Sequence, residues 1–138
     1  MRFHHIGYAV RSIQKYLDEF LDPLLCPNNI SAPIIDPIQR VTVCFVEVSG
    51  GVLLELVEPL GEGSPVKSII ERTRGGLYHV CYEVDHLNAE IERFRSKKCL
   101  PLGPAVPAAA FDGRRIVFVL TPQRDLIELV ESVPEDRS

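Results

Sequence analysis

The chain is predicted to adopt an α+β fold of two tandem βαβββ modules, and three internal matches carry that expectation. "FHHIGYAVRSI" (3–13) aligns with "LYHVCYEVDHL" (77–87), placing His5 on His79, Tyr8 on Tyr82 and Val10 on Val84 at an offset of 74 residues. "VCFV" (43–46) aligns with "IVFV" (116–119), and "LLELVEP" (53–59) with "LIELVES" (126–132), both at an offset of 73. The second of these places Glu55 on Glu128. Three matches in one order at nearly one spacing mark a duplicated supersecondary unit.

Each module reads in the same order. A strand (3–10; 77–84) leads into an amphipathic helix (12–21, with Ile13, Tyr16, Leu17 and Phe20 on one side; 86–97, with Leu87, Ile91 and Phe94) by the 3.6-residue period. Ser12 and Asp85 stand where helix caps belong. An irregular connection follows, with a short strand expected near 34–36 and near 99–102. Two strands around a short turn then complete each module, 41–48 with 52–58 and 115–120 with 126–131. The proline-rich connection 26–39 is expected to be a surface loop without regular structure. Between modules, "GEGSPVKSIIERTRGG" (61–76) predicts a linking helix capped by Ser64, with Pro65 at its first position and its end at Gly75. The expected organisation is one domain over 1–138, with module 1 at about 1–60, a linker at about 61–76, module 2 at about 77–133 and a polar tail at 134–138.

Length and composition agree with one soluble domain. The 138 residues are 46% hydrophobic and 25% charged, enough chain and apolar content to bury a core. A net charge of −4 argues against a nucleic-acid surface, which needs clustered positive potential. No apolar stretch approaches the roughly 20 residues of a membrane span and no leader pattern opens the chain, so a cytoplasmic protein is expected. The four cysteines (Cys26, Cys44, Cys81, Cys99) form no C-x-x-C pair and are expected to be free, packed thiols.

Glu55 and Glu128 pose the chemical question. Each lies in mid-strand between apolar residues, where an ionised carboxylate costs several kcal/mol unless it is compensated. Glu58 and Glu131, repeated as well, stand at strand ends, where solvated charge is expected. If the two copies pack with approximate two-fold symmetry, His5, Glu55, His79 and Glu128 form a ligand set for Zn²⁺, Ni²⁺, Co²⁺, Mn²⁺ or Fe²⁺ with positions left open. His4 and His86 have no repeat partner of their own type and read as surface residues or supports behind the ligands.

The motifs "HHIGYAV", "LLELVEPLGEGSP", "GGLYHVCYEVDHLNAEIE" and "LIELVE" resemble the vicinal oxygen chelate superfamily, which includes glyoxalase I, extradiol dioxygenases, bleomycin-resistance proteins and methylmalonyl-CoA epimerases. The likeness to the epimerases spans Phe3 to Glu131. It implies a cupped mixed sheet around a metal, ligands at His5, Glu55, His79 and Glu128, and often a homodimer. It also implies epimerisation by proton abstraction beside a thioester carbonyl, with Glu128 as base, Glu55 as its counterpart, and an acyl-CoA or carrier-bound acyl thioester as substrate. The alternatives within the resemblance are a glyoxalase I-like lactoylglutathione lyase and a non-catalytic small-molecule binding protein. The chain has "AAFDG" (109–113) and "LTPQRD" (120–125) where the epimerases carry "GAHG" and "HPK…GG" segments. Arg114, Arg115 and Arg124, in or beside these segments, are candidates for binding a substrate carboxylate or phosphate.

Overall fold

Alternating burial along the strands and one apolar stripe per helix build a mixed α+β structure, with both parallel and antiparallel strand pairs. The computed structural model describes residues 1–134. The predicted tail falls largely on 135–138, outside the described residues. The chain divides into two compact units, residues 5–78 and residues 1–4 together with 79 onward.

The first unit contains β1 (Arg2–Ala9, from its fourth residue), α1 (residues 13–25), β2 (Asn29–Ile30), β3 (Ile34–Asp36), β4 (Val41–Val48), β5 (Val52–Pro59) and α2 (Pro65–Thr73). Its strands run in the order β2-β4-β5-β1, with β3 also on β4. Strand β1 pairs parallel to β5, whereas β4 and β5 form an antiparallel hairpin. Ile13, Leu17 and Leu21 of α1 pack with Val10, Cys44, Val46 and Leu56 as the core. Leu56 thus points to the helix, and Glu55, one residue earlier, points to the other face.

Helix α1 departs from its predicted form. A π turn at Leu17–Leu21 separates α segments Ile13–Tyr16 and Asp22–Leu25. Pro23 accounts for it, because its ring has no N–H to donate and collides with the carbonyl four residues back, which a wider turn moves aside. Leu21, one turn on from Leu17, is fully buried, and Phe20, expected on the apolar side, is 43% exposed. The connection after α1 is likewise more regular than expected. Asn29 and Ile30 pair with Glu47 and Val46 as β2, and Asp36 closes the loop by accepting from the N–H groups of Ile38 and Gln39.

The second unit contains β6 (Gly76–Val84, from its fourth residue), α3 (Leu87–Ser96), β7 (Leu100–Pro101), β8 (Val106–Pro107), a 3₁₀ turn (Ala109–Phe111), β9 (Arg115–Leu120) and β10 (Leu126–Glu131). Its order is β6-β10-β9-β7, with β8 on β9, and β6 is parallel to β10. Val84, Leu87, Val117, Val119 and Leu129 form its core, with Ile91 and Phe94 of α3 packed against them. Residues 1–4 join this unit through Arg2, which pairs with Glu83 and Asp85, through Phe3 against Tyr82, and through His4 against Phe111.

Three capping expectations resolve differently. Ser12 caps α1, its hydroxyl accepting from the Lys15 N–H at 3.2 Å. His86, not Asp85, occupies the N-cap of α3, and Asp85 is engaged by Arg2. Ser64 holds the N-cap of α2 with Pro65 at the first helical position, yet its hydroxyl makes no cap bond. Of the cysteines, Cys44 and Cys81 are buried and in no disulfide, as expected, whereas Cys26 is exposed at the end of α1, where it takes a left-handed conformation with φ 45°.

Candidate metal centre

In the first unit, β1 and β5 run side by side with Gly7 opposite Glu55. His5 lies two residues before Gly7, so its side chain emerges on the same face as Glu55. Its Nε2 lies 3.4 Å from Glu55 Oε1, with 0% and 6% of the two side chains exposed.

The second unit repeats the construction. Cys81 stands opposite Glu128 across β6 and β10, His79 lies two residues before it, and His79 Nε2 is 3.4 Å from Glu128 Oε1. These side chains are 0% and 4% exposed. The copies differ at the residue facing each carboxylate, glycine in one and cysteine in the other.

The donor chemistry of each pair fits a divalent cation. Neutral imidazole and carboxylate both suit Zn²⁺ and its first-row neighbours. Donors held about 2.1 Å from one ion lie roughly 3.0 Å apart at a right angle and roughly 3.4 Å apart at the tetrahedral angle. A direct N–H···O bond would close to about 2.9 Å. The spacing within each pair is longer than a direct hydrogen bond and within the reach of two donors to one ion.

A second aromatic component joins each pair. The Phe45 ring meets the His5 ring at 5.6 Å between centroids with an interplanar angle of 70°, and Phe118 meets His79 at 5.3 Å and 85°. Sequence reasoning aligned these phenylalanines in the repeat but gave them no role; their spacing was the available signal.

The remaining candidates fall elsewhere. Arg114 donates to Glu83 at 2.7 Å and to the Glu131 carbonyl, and its guanidinium lies 5.2 Å over the Phe111 ring. Arg115 donates to Glu131 through its backbone and its side chain. Both guanidiniums are therefore occupied within the protein. Arg124 is exposed at the β9–β10 turn, with φ 71°. Glu58 and Glu131 are not solvated strand-end charges: Glu58 accepts from the Ile13 N–H at 2.9 Å and Glu131 from the Arg115 N–H at 2.8 Å. His4 packs on Phe111, and His86 is an exposed helix cap.

Two buried His–Glu pairs on equivalent parallel strand pairs define a duplicated architecture with a candidate metal-donor pair in each copy. The chain belongs to the glyoxalase/bleomycin resistance protein/dioxygenase superfamily, whose family model matches residues 4–118. It is 30% identical over 119 residues to the ethylmalonyl-CoA/methylmalonyl-CoA epimerase of Cereibacter sphaeroides, covering 86% of this chain and 87% of that relative. It is also 30% identical over 119 residues to the human mitochondrial methylmalonyl-CoA epimerase, covering 86% of this chain and 65% of that protein. In structure it is similar to a Streptomyces coelicolor methylmalonyl-CoA epimerase variant in complex with 2-nitronate-propionyl-CoA, with a TM-score of 0.78, 25% identity and coverage of 96% and 98% of the two chains. Among the described residues, no helix is long and apolar enough to cross a membrane.

Proposed function

We propose that the chain is a divalent-metal-dependent epimerase that inverts the carbon between a thioester carbonyl and a carboxylate, with His5, Glu55, His79 and Glu128 holding the ion. The duplicated His–Glu pair carries this reading, since two imidazoles and two carboxylates leave open positions on a six-coordinate ion. The epimerase relatives support an acyl-CoA as the substrate class. When bound, Co²⁺, Ni²⁺, Zn²⁺ or Mn²⁺ supplies Lewis acidity that lowers the cost of charge on the substrate oxygens.

The chain's own residues supply the proton movements. Glu128 takes the α-proton on a carboxylate oxygen, and Glu55 is its counterpart at the other face of the planar carbon, where the proton is regained. With Arg114 and Arg115 held by Glu83 and Glu131, Arg124 is the arginine that meets an anionic group of the substrate. A homodimer and a cytoplasmic location accompany this reading.

Exchange of the C2 proton of methylmalonyl-CoA in heavy water tests it. Metal-stripped protein should exchange nothing, re-addition of Co²⁺ or Ni²⁺ should restore exchange, and Glu128→Gln should abolish it. Metal binding with no exchange in the wild type would reject the substrate and leave the ligand assignment. Turnover of a glutathione hemithioacetal would then assign a lyase.

A further inference from the structure

Each histidine of the proposed metal centre is met from two directions. Along its Nε2 lies a carboxylate, at 3.4 Å in both units. Across its ring plane stands a phenyl group, Phe45 for His5 and Phe118 for His79, both in edge-to-face geometry. The strand register explains how. Phe45 stands directly opposite Glu55 across β4 and β5, and Phe118 opposite Glu128 across β9 and β10. Residues directly opposite share a face of the sheet, so phenyl, carboxylate and imidazole form one cluster in each unit.

Resting on the metal reading above, we propose that Phe45 and Phe118 are positioning residues that set the ring planes of His5 and His79 for the ion. A carboxylate beside Nε2 fixes one atom of the imidazole but leaves the ring able to turn about the Nε2–carboxylate line. The χ2 well of histidine is broad, so the covalent geometry does not remove that freedom. A phenyl ring at a steep angle does, because the contact is favourable only over a narrow range of tilt. The lone pair on Nε2 lies in the imidazole plane, so fixing the plane aims the lone pair. Both phenylalanines are half-buried, which lets them brace the histidines while also shielding them from water.

Phe45→Leu, Phe118→Leu, the double variant, and Phe45→Tyr and Phe118→Tyr test this on Co²⁺-loaded and metal-free protein. Leucine keeps the apolar bulk and removes the ring, while tyrosine keeps the ring. An edge-to-face contact is worth roughly two- to tenfold in an equilibrium. Each leucine variant should therefore lose roughly two- to tenfold in Co²⁺ affinity, with the double variant near the product. The leucine variants should also show shifted and broadened Co²⁺ visible bands and a lower kcat at nearly unchanged KM, and the tyrosine variants should restore all three. In metal-free protein, the ring-current-shifted Hδ2 and Hε1 resonances of His5 and His79 should move toward ordinary positions only in the leucine variants. Wild-type affinity, bands and resonances in the double leucine variant would overturn the proposal. A wild-type protein that binds no Co²⁺ would instead overturn the metal reading, and the metal-free resonances would still decide whether the rings are held.

Discussion

Glu58 Oε1 accepts a hydrogen bond from the backbone N–H of Ile13 at 2.9 Å, so a residue of β5 closes the first turn of α1. Together with the Ser12 hydroxyl on Lys15, it satisfies two of the N–H groups that a helix start leaves without partners. Negative charge at that end also favours the helix dipole. Glu58→Ala should cost about 1 kcal/mol, the usual worth of a cap, and Glu58→Gln less, because the amide oxygen still accepts. Urea unfolding of the three proteins at pH 7 checks the order, and equal midpoints would show that water replaces the carboxylate without loss.

Glu83 lies between two arginines, 3.1 Å from Arg2 Nε and 2.7 Å from Arg114 Nη1. Burial by itself pushes its carboxyl up, but the hydrogen bonds and charges of Arg114 and Arg2 outweigh this and hold it below the ordinary carboxylate range. A folded-state value below the unfolded one means stability that is present above about pH 4.3 and is lost as pH falls through the folded value. Glu83→Gln should therefore cost about 1–2 kcal/mol at pH 7, a figure reduced for the partial exposure of the cluster, and progressively less in acid. Unfolding free energies of both proteins from pH 7 to pH 3 should converge; a constant gap would mean the loss is one of packing.

The duplicated strands were legible because both signals survive in primary sequence: period-two burial, and a repeat that matches His5 with His79 and Glu55 with Glu128. Assignment of the ligand candidates needed only those two facts. The π turn was not legible, since Pro23 announces that a helix must yield but not whether it stops or widens. Glu58 and Glu131 misled for a different reason. A strand-end carboxylate looks solvated in one dimension, and only the fold brings the Ile13 and Arg115 N–H groups to it. The pairing of Arg114 and Arg115, candidates for substrate binding, is not legible in sequence, because the acids that hold them, Glu83 and Glu131, are 31 and 16 residues away.

Gly75 and Gly51 separate the two costs of replacing glycine. Both have positive φ, +93° and +76°, but a Cβ on Gly75 would sit 2.7 Å from the Ala9 carbonyl oxygen, whereas one on Gly51 meets nothing within 4 Å. Gly51→Ala should cost about 1–2 kcal/mol from backbone strain alone. Gly75→Ala carries the same strain plus a backbone clash that no side-chain rotation relieves, so it should cost more and loosen the turn after α2. Thermal unfolding of the pair provides the comparison, and equal losses would show that β1 shifts to make room.

The proposed four-ligand centre predicts that metal binding registers as stability, because an ion that needs both buried His–Glu pairs would bind only the folded chain. At a free concentration 100 times Kd, the gain is about 2.7 kcal/mol. Wild-type protein stripped with a chelator and titrated with Co²⁺ or Zn²⁺ should gain this much, rising with the logarithm of ion concentration beyond saturation. Removing one ligand from either unit should abolish the gain over the same range, so His79→Ala and Glu55→Gln should unfold at the same midpoint with and without metal. A variant in one unit that kept the full gain would show that the other unit's pair binds the ion by itself, and the four-ligand centre would give way to a two-ligand site.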